Sequence, residues 1–196
     1  MMDKHQQRMQ IKKAIHQQKL DKAQEERGVV ILLKGNGKGK SSSALGTMAR
    51  ALGHGHRCAV IQFIKGKKAT GEYLFFKDHS NVDWHVMGHG FTWETQDKNK
   101  DRIAAQEAFT MAKRYLSDEQ YDLLVFDEMG YMFKYGHIEV APLIEALAKR
   151  PKKQNVIITG RTMAVGLQEV ADTISIVQDE KHAYRIGVKA QAGIEY

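Results

Sequence analysis

The sequence predicts an α/β fold in which a mostly parallel sheet is flanked by helices, and three observations lead to that prediction. Short apolar runs typical of strands alternate with longer segments typical of helices from Val29 onward. A glycine-rich loop joins the first apolar run to the first helical segment. A later apolar run ends in two adjacent acids. At 196 residues the chain is long enough to bury one core, so we expect residues 28–196 to form a single domain.

The individual elements follow from the apolar patterns in chain order. Strands are expected at residues 29–34, 57–64, 82–87, 121–126, 155–159 and 173–177, and helices at 41–52, 103–116, 138–149 and 164–171. Gly53 and Gly55 end the first of these helices, and Pro151 stops the third. The tail from Lys181 onward has no clear period, so we assign it no structure.

Residues 1–27 form a polar amino-terminal arm that is rich in Gln and Lys and contains neither Pro nor Gly. Its apolar residues are too sparse to give a helix a continuous face to bury. Two interpretations stay open at this point: a disordered tail, or a helical arm that becomes ordered against a partner subunit or over a ligand.

The composition limits the classes of partner and the compartment. A net charge of +7 and a pI near 9.4 favour anionic partners, including nucleic acid, but the basic residues are mixed with acids, and a small polyphosphate ligand explains them equally well. The single cysteine, Cys58, excludes an internal disulfide and is expected to be buried. With neither a secretion signal nor an apolar run long enough to span a membrane, we expect a cytoplasmic protein.

The glycine-rich loop has the features of a phosphate-binding loop, because it stands between a strand and a helix whose amino terminus attracts anions. Its residues, all candidate nucleotide contacts, are Gly35, Asn36, Gly37, Lys38, Gly39, Lys40, Ser41 and Ser42. Lys40 would reach phosphate oxygens, and the Ser41 hydroxyl would bind a magnesium ion held by the same phosphates.

The loop departs from the usual spacing, because Lys34 stands where the first glycine of the pattern belongs. Either Gly35 begins a tighter loop, or the nucleotide is cradled differently from that of an ordinary NTPase. The predicted fold is therefore a P-loop NTPase (RecA-like) architecture with an amino-terminal helical arm.

Three further groups of residues lie where predicted strands end, which is the ligand-binding edge of a parallel sheet. Asp127 and Glu128 would supply carboxylates to the magnesium ion, unless they only cap a turn. Lys65 is a candidate phosphate contact or a member of a solvated basic cluster. Arg161 would clamp phosphates, or form a surface ion pair.

Phe91 and Trp93 stand two residues apart in a glycine-containing loop, so their side chains would project from one face of an extended segment. From the residues alone, they either contact a flat ligand or pack into the core. The nine histidines form no convincing metal-binding pattern.

Several blocks of sequence, taken together and in order, resemble the P-loop type of ATP:corrinoid adenosyltransferases over nearly the whole chain. They are Gly-Asn-Gly-Lys-Gly-Lys-Ser at 35–41, Gln-Phe-Ile-Lys-Gly at 62–66, Gly-Phe-Thr-Trp at 90–93, Asp-Glu at 127–128, Ile-Ile-Thr-Gly-Arg at 157–161, Lys-His-Ala at 181–183 and Gly-Val-Lys-Ala-Gln at 187–191. The departures are mild, with Ser41 and Ser42 where threonines are common.

The resemblance implies transfer of the adenosyl group of ATP to the Co(I) ion of a corrinoid, with release of triphosphate. It implies that the phosphates of ATP lie in the loop in the direction opposite to that in other P-loop proteins. It also implies a Mg²⁺ ion, for which Mn²⁺ could substitute, on Ser41 and Glu128. It also implies that Phe91 and Trp93 wedge against the corrin and exclude an axial cobalt ligand, which eases reduction from Co(II). The resemblance further implies an electron donor such as a reduced flavoprotein. It also implies a homodimer whose amino-terminal arm closes over the corrinoid.

Two other functions fit the residues less completely. A P-loop ATPase or phosphotransferase would use the same loop but release ADP. A RecA-like nucleic-acid-binding protein would use the positive charge and would bind nucleic acid with an affinity that falls steeply with salt.

Overall fold

The computed structural model describes residues 3–64, 69–87 and 98–196. Six strands form one sheet in the order β3-β2-β4-β5-β1-β6, and every neighbouring pair is parallel. The strands are β1 Val30–Lys34, β2 Cys58–Gln62, β3 Val82–Val86, β4 Leu123–Asp127, β5 Asn155–Gly160 and β6 Thr173–Ile176. The α/β prediction is confirmed, with each predicted strand present within two residues of its expected ends.

Helices cover the sheet and extend beyond it. They are α1 Lys4–Lys22, α2 Lys40–Gly53, α3 Gly71–Phe76, α4 Lys98–Leu116, α5 Gly130–Lys134, α6 Ala141–Lys149 and α7 Val165–Glu169, followed by a short 3₁₀ helix at Ala183–Ile186. The helix predicted at 138–149 is wrong at its start. Ile138 lies in the turn that follows α5, where its N–H donates to the Met132 carbonyl oxygen, and the next helix begins at Ala141.

The core is divided between the two faces of the sheet, and the alternation along β4 shows the division. Leu124 and Phe126 point to the face covered by α4 and α6, whereas Leu123 and Val125 point to the face covered by α2. All four side chains are almost completely buried, as expected for a central parallel strand. Cys58 is buried as predicted, and this burial raises the pKa of its thiol to about 12.

The arm residues that the structure describes form a helix over Lys4–Lys22, and the ordering of this arm against a partner subunit or over a ligand stays a prediction. Gln, Lys and Ala are good helix formers, and Pro and Gly are missing from α1. Every residue from 3 to 27 is exposed. Within the three described ranges, no helix combines the length and the apolar character needed to cross a membrane.

The loop between β1 and α2 packs closely against the backbone that follows β6. A Cβ atom on Gly35 would lie 2.4 Å from the Val177 carbonyl oxygen, and one on Gly37 would lie 2.3 Å from the Gln178 carbonyl oxygen. The Gly37 N–H also donates to the Val177 carbonyl, at 2.8 Å. Two of the loop glycines are therefore needed for contact with the protein's own chain, in addition to any contact with a ligand.

This close approach predicts opposite effects of two glycine-to-alanine substitutions. Gly37→Ala should lower the free energy of unfolding by about 1–3 kcal/mol, because the new methyl group overlaps the Gln178 backbone. Gly46→Ala, within α2 and with open space around its Cβ position, should raise it by about 0.5–1 kcal/mol. Urea denaturation of both variants checks this, and equal effects of the two would contradict the described packing.

Candidate functional site

Three strand ends meet at the carboxyl edge of the sheet and form the candidate site. The loop of residues 35–40 follows β1, Asp127 and Glu128 stand at the end of β4, and Thr159 lies near the end of β5. Because β5 lies between β4 and β1 in the sheet, Thr159 stands between the loop and the acids. The sheet order therefore brings together the phosphate-binding loop and the acidic pair, as the sequence predicts.

Lys40 and Ser41 open α2 and face this edge. Gly39 precedes them in a left-handed conformation (φ 116°), which a residue with a side chain rarely adopts. The Lys40 side chain is only 7% exposed, and its Nζ donates to the Gly37 carbonyl oxygen at 2.8 Å, so it folds back over the loop. The Ser41 Oγ donates to Asp127 Oδ1 at 2.7 Å, which joins the loop directly to β4.

Asp127 is 5% exposed and is held by donors from three parts of the chain. The hydroxyls of Ser41 and Thr159 both donate to its Oδ1, each at 2.7 Å, and the Gln62 side-chain amide donates to its Oδ2 at 3.2 Å. Gln62 is oriented in turn by the Trp84 indole N–H, which donates to the Gln62 Oε1 at 3.1 Å. The Asp127 carboxylate is therefore well satisfied by the protein itself.

Glu128 differs from its neighbour in both backbone and side chain. Its φ of 57° is the one positive φ of a non-glycine residue in the described part of the chain, and its N–H donates to the Thr159 Oγ1 at 2.9 Å. Its Oε2 is shielded from solvent and has no hydrogen-bond partner among the residues that the structure describes. A buried carboxylate oxygen with unused lone pairs is suited to a ligand that brings positive charge or a donor.

The site holds an acidic group, Glu128, whose pKa is raised, and a basic group, Lys40, whose pKa is lowered. Burial is the main cause that raises the pKa of Glu128 to about 7, and the Asp127 charge adds to the effect, while Lys40 and Arg161 oppose it. Burial is also the main cause that lowers the pKa of Lys40, although the Glu128 charge opposes this shift. Both groups are thus less well stabilised as ions than they would be in water.

A cavity of about 710 Å³ opens over this edge, which is a suitable volume for a nucleotide. The predicted nucleotide contacts that line it are Asn36, Gly37, Lys38, Gly39, Lys40, Ser41, Ser42 and Arg161, together with Asp127 and Glu128. Gly35 lies one residue before this lining, against Val177. Lys65, Phe91 and Trp93 lie outside the described residues.

Several lining residues were missed by the sequence analysis. They are Leu45, Gln62, Thr70, Gly71, Glu72, His182 and residues 193–196. The tail segment is tied to the loop by an ion pair in which Lys38 Nζ lies 2.8 Å from Glu195 Oε2. The sequence analysis predicted a strand that continues to residue 64, so it did not place Gln62 at a strand end. In the structure β2 ends at Gln62, and the strand order places β2 beside β4.

The side-chain oxygens in the cavity suit a magnesium ion, although they would supply only some of its ligands. Magnesium prefers oxygen ligands and keeps several waters, so one or two carboxylates and a hydroxyl are sufficient with substrate phosphates. Ser41, Asp127 and Glu128 supply that set, and the unpartnered Glu128 Oε2 is the free ligand atom among them. Across the described ranges, no three His, Cys, Asp or Glu residues converge as a metal site.

The fold and the loop place this protein in the class of P-loop nucleotide-binding α/β proteins. Its parallel sheet, the loop after β1 and the acids after β4 are the parts that define this class. The chain belongs to the ATP:corrinoid adenosyltransferase family, because the family model described as ATP:corrinoid adenosyltransferase BtuR/CobO/CobP matches residues 26–196.

Individual relatives agree with this membership. A corrinoid adenosyltransferase of Pseudomonas aeruginosa is 45% identical over 194 residues, covering 98% of this chain and 96% of the relative. A corrinoid adenosyltransferase of Escherichia coli K12 is 43% identical over 194 residues, covering 99% and 98%. Among solved structures, domain III of the Thermotoga maritima DnaA protein reaches a TM-score of 0.38 at 13% identity over 81% of this chain and 58% of that one, too weak a likeness to inform the function.

The raised pKa of Glu128 predicts a substitution that stabilises the ligand-free protein. The folded state binds this proton more tightly than the unfolded chain, so stability is lost as pH rises from the ordinary value of 4.5 to about 7. Glu128→Gln, which stays neutral, should therefore raise the free energy of unfolding by about 1–3 kcal/mol at pH 8, and by little at pH 5.

Denaturation at both pH values, with the exposed Glu145→Gln as a control, checks this expectation. The account of Glu128 would be wrong if the variant were equally or less stable than the parent protein at pH 8.

Proposed function

We propose that the protein transfers the 5′-deoxyadenosyl group of ATP to the Co(I) ion of a corrinoid substrate. The Co(I) electron pair forms the new cobalt–carbon bond, and the bond between C5′ and the α-phosphate oxygen breaks. The electron pair of the broken C5′–O bond leaves with the triphosphate. The observation that carries the proposal is a cavity in which the loop lysine and the acids face one another, in a chain of this family.

The proposed work of the loop is to hold the departing triphosphate. Lys40 would leave the Gly37 carbonyl and turn its ammonium group to phosphate oxygens, while the amino terminus of α2 and the loop N–H groups would face the same charge. The N–H groups of Gly35 and Gly37 are the exceptions, because they donate to the Arg161 and Val177 carbonyl oxygens. Arg161 is exposed at the cavity and is near enough to act on the charges of Lys40 and Glu128. Charge that develops on the leaving group would thus meet fixed positive groups.

In this proposal Ser41, Asp127 and Glu128 would hold Mg²⁺, with Mn²⁺ as a possible substitute. The bound ion would neutralise part of the triphosphate charge. Glu128 is the favoured direct ligand because its Oε2 has no other partner, whereas the oxygens of Asp127 already accept three hydrogen bonds. Asp127 would then orient Ser41 and Gln62 around the ion.

The proposed reaction needs no protein base, because Co(I) supplies an electron pair without losing a proton. The residues of the site are therefore expected to bind, orient and exclude water. An ATPase or phosphotransferase would use the same loop differently, since it must direct an acceptor or a water molecule to the terminal phosphorus. The phosphate-containing product separates the two: triphosphate for adenosyl transfer, ADP for the alternative.

Replacement of Lys40 tests the role of the loop. Lys40→Ala should lower the rate of cobalt–carbon bond formation by about 10²- to 10³-fold or more, because a buried cation that faces the leaving group is lost. Chemically reduced cobalamin and Mg-ATP are mixed with the protein, and the visible spectrum follows the reaction. Lys77→Ala, at an exposed position of an ion pair with Asp78, is the control. A Lys40→Ala rate equal to that of the control would contradict the proposal.

Reduction of the corrinoid from Co(II) is proposed to depend on Phe91 and Trp93. The chain enters this segment from β3, at the same edge of the sheet as the cavity, where the Met87 N–H donates to the Gln62 carbonyl oxygen. An aromatic wedge that removes an axial ligand from cobalt would lower the energy of the orbital that accepts the electron. The wedge would matter only before Co(I) has formed.

Trp93→Ala should therefore behave differently in two assays. With cobalamin already reduced to Co(I), the variant should keep most of its activity, because nucleophilic attack needs no wedge. With Co(II) reduced in place by a reduced flavin, it should lose most of it. Tyr184→Ala, an exposed aromatic in the tail, controls for general loss of an aromatic side chain. Equal losses of Trp93→Ala in both assays would remove the wedge from the mechanism.

The cytoplasmic location, the reduced flavoprotein as electron donor and the homodimer stay predictions from the sequence.

A further inference from the structure

Thr159 lies between the phosphate-binding loop and the acidic pair and contacts both acids, although it does not line the cavity itself. We propose that Thr159 is a positioning residue, whose single hydroxyl fixes the Asp127 carboxylate and the Glu128 backbone together. This inference rests on the proposed function, because it concerns how the two acids are presented to a nucleotide and its cation.

The hydroxyl of Thr159 uses both of its hydrogen-bonding capacities. Its proton is donated to the Asp127 Oδ1 at 2.7 Å, and its oxygen accepts the Glu128 N–H at 2.9 Å. The side chain is completely buried, so water cannot replace either partner without entering the core. The Thr159 hydroxyl thus orients the Asp127 carboxylate and also fixes the position of the Glu128 backbone N–H.

The second contact matters because the Glu128 backbone is in an unfavourable conformation. A non-glycine residue with φ of 57° needs surrounding contacts to hold it there. The backbone at Glu128 is held on both sides. The Glu128 N–H donates to the Thr159 hydroxyl, and two residues later the Gly130 backbone lies against Gly160, where an added Cβ would be only 2.7 Å from the Gly130 Cα. This backbone conformation directs the Glu128 side chain into the cavity, where Lys40 and Arg161 act on its charge.

The proposal assigns the function to the hydroxyl and not to the size of the side chain. Valine has nearly the shape of threonine, so Thr159→Val should keep the packing of β5 but leave the Glu128 N–H and one lone pair of Asp127 without partners. Serine keeps the hydroxyl and loses only a methyl group. The pair of substitutions therefore separates positioning from packing.

The test measures ATP binding to the full chain by calorimetry, with and without Mg²⁺. Thr159→Val should reduce the gain in ATP affinity due to Mg²⁺ by about 10- to 100-fold, as is usual when a group behind a metal ligand is lost. Affinity without Mg²⁺ should change little, and Thr159→Ser should keep most of the gain. Thr110→Val, the same chemical change on an exposed helix face where the hydroxyl only bonds the Gln106 carbonyl, is the control.

A double substitution shows whether Thr159 acts through Glu128. In a Glu128→Gln background, Thr159→Val should cause little further loss of the Mg²⁺-dependent gain, since the group being positioned is already absent. Fully additive losses would overturn the proposal. A gain that is unchanged in Thr159→Val, or reduced equally in Thr159→Ser and Thr159→Val, would also overturn it.

Amide hydrogen exchange of the unsubstituted protein gives a test that does not depend on a variant that folds. The Glu128 N–H should be strongly protected, and rapid exchange at that amide would overturn the proposal. The failure of the proposed function looks different from either result. In that case the unsubstituted protein would form no cobalt–carbon bond and would release ADP, while Thr159→Val would still lose the Mg²⁺-dependent gain in ATP affinity. A lack of any gain from Mg²⁺ in the unsubstituted protein would overturn the inference itself.

Discussion

The carboxylate of Asp127 is the constraint on which the site depends, because three separate segments donate to it. Ser41 belongs to the helix after the phosphate-binding loop, Gln62 ends β2, and Thr159 lies on β5. These donors reach one side chain only because the parallel sheet sets the ends of β2, β4 and β5 side by side. Removal of this carboxylate would leave several buried polar groups without a partner, and it would remove the side-chain link between the start of α2 and β4.

The two acids are adjacent in sequence and yet have different environments. Asp127 is satisfied by the protein, whereas Glu128 keeps an unpartnered buried oxygen and a raised pKa. The Lys40 ammonium group is also buried, and among the described residues its hydrogen-bond acceptor is the Gly37 carbonyl oxygen of its own loop. Such an arrangement is unfavourable in the empty site and becomes favourable when a polyphosphate and a cation arrive. Some stability is thereby given up for binding.

Local patterns were sufficient to predict most of the fold and the main parts of the site. Apolar runs revealed the six strands, and the loop with its Lys40-Ser41 pair identified the nucleotide cavity. The short helices α3 and α5 were missed because six and five residues are too few to show a period. Gln62 and Thr159 were missed because their importance comes from the strand order, which the sequence does not display. Gly35 and Gly37 were interpreted as ligand contacts, although their packing against residues 177 and 178 also requires them.

In the proposed reaction the site presents the C5′ atom of ATP for attack, and not a phosphorus atom. The most direct measurement uses ATP carrying ¹⁸O in the bridge between C5′ and the α-phosphorus, with Co(I) cobalamin as acceptor. The label is expected to leave entirely in the triphosphate, because the C5′–O bond is the one that breaks. Label retained on a nucleoside or nucleotide product, with phosphate or ADP released, would contradict it.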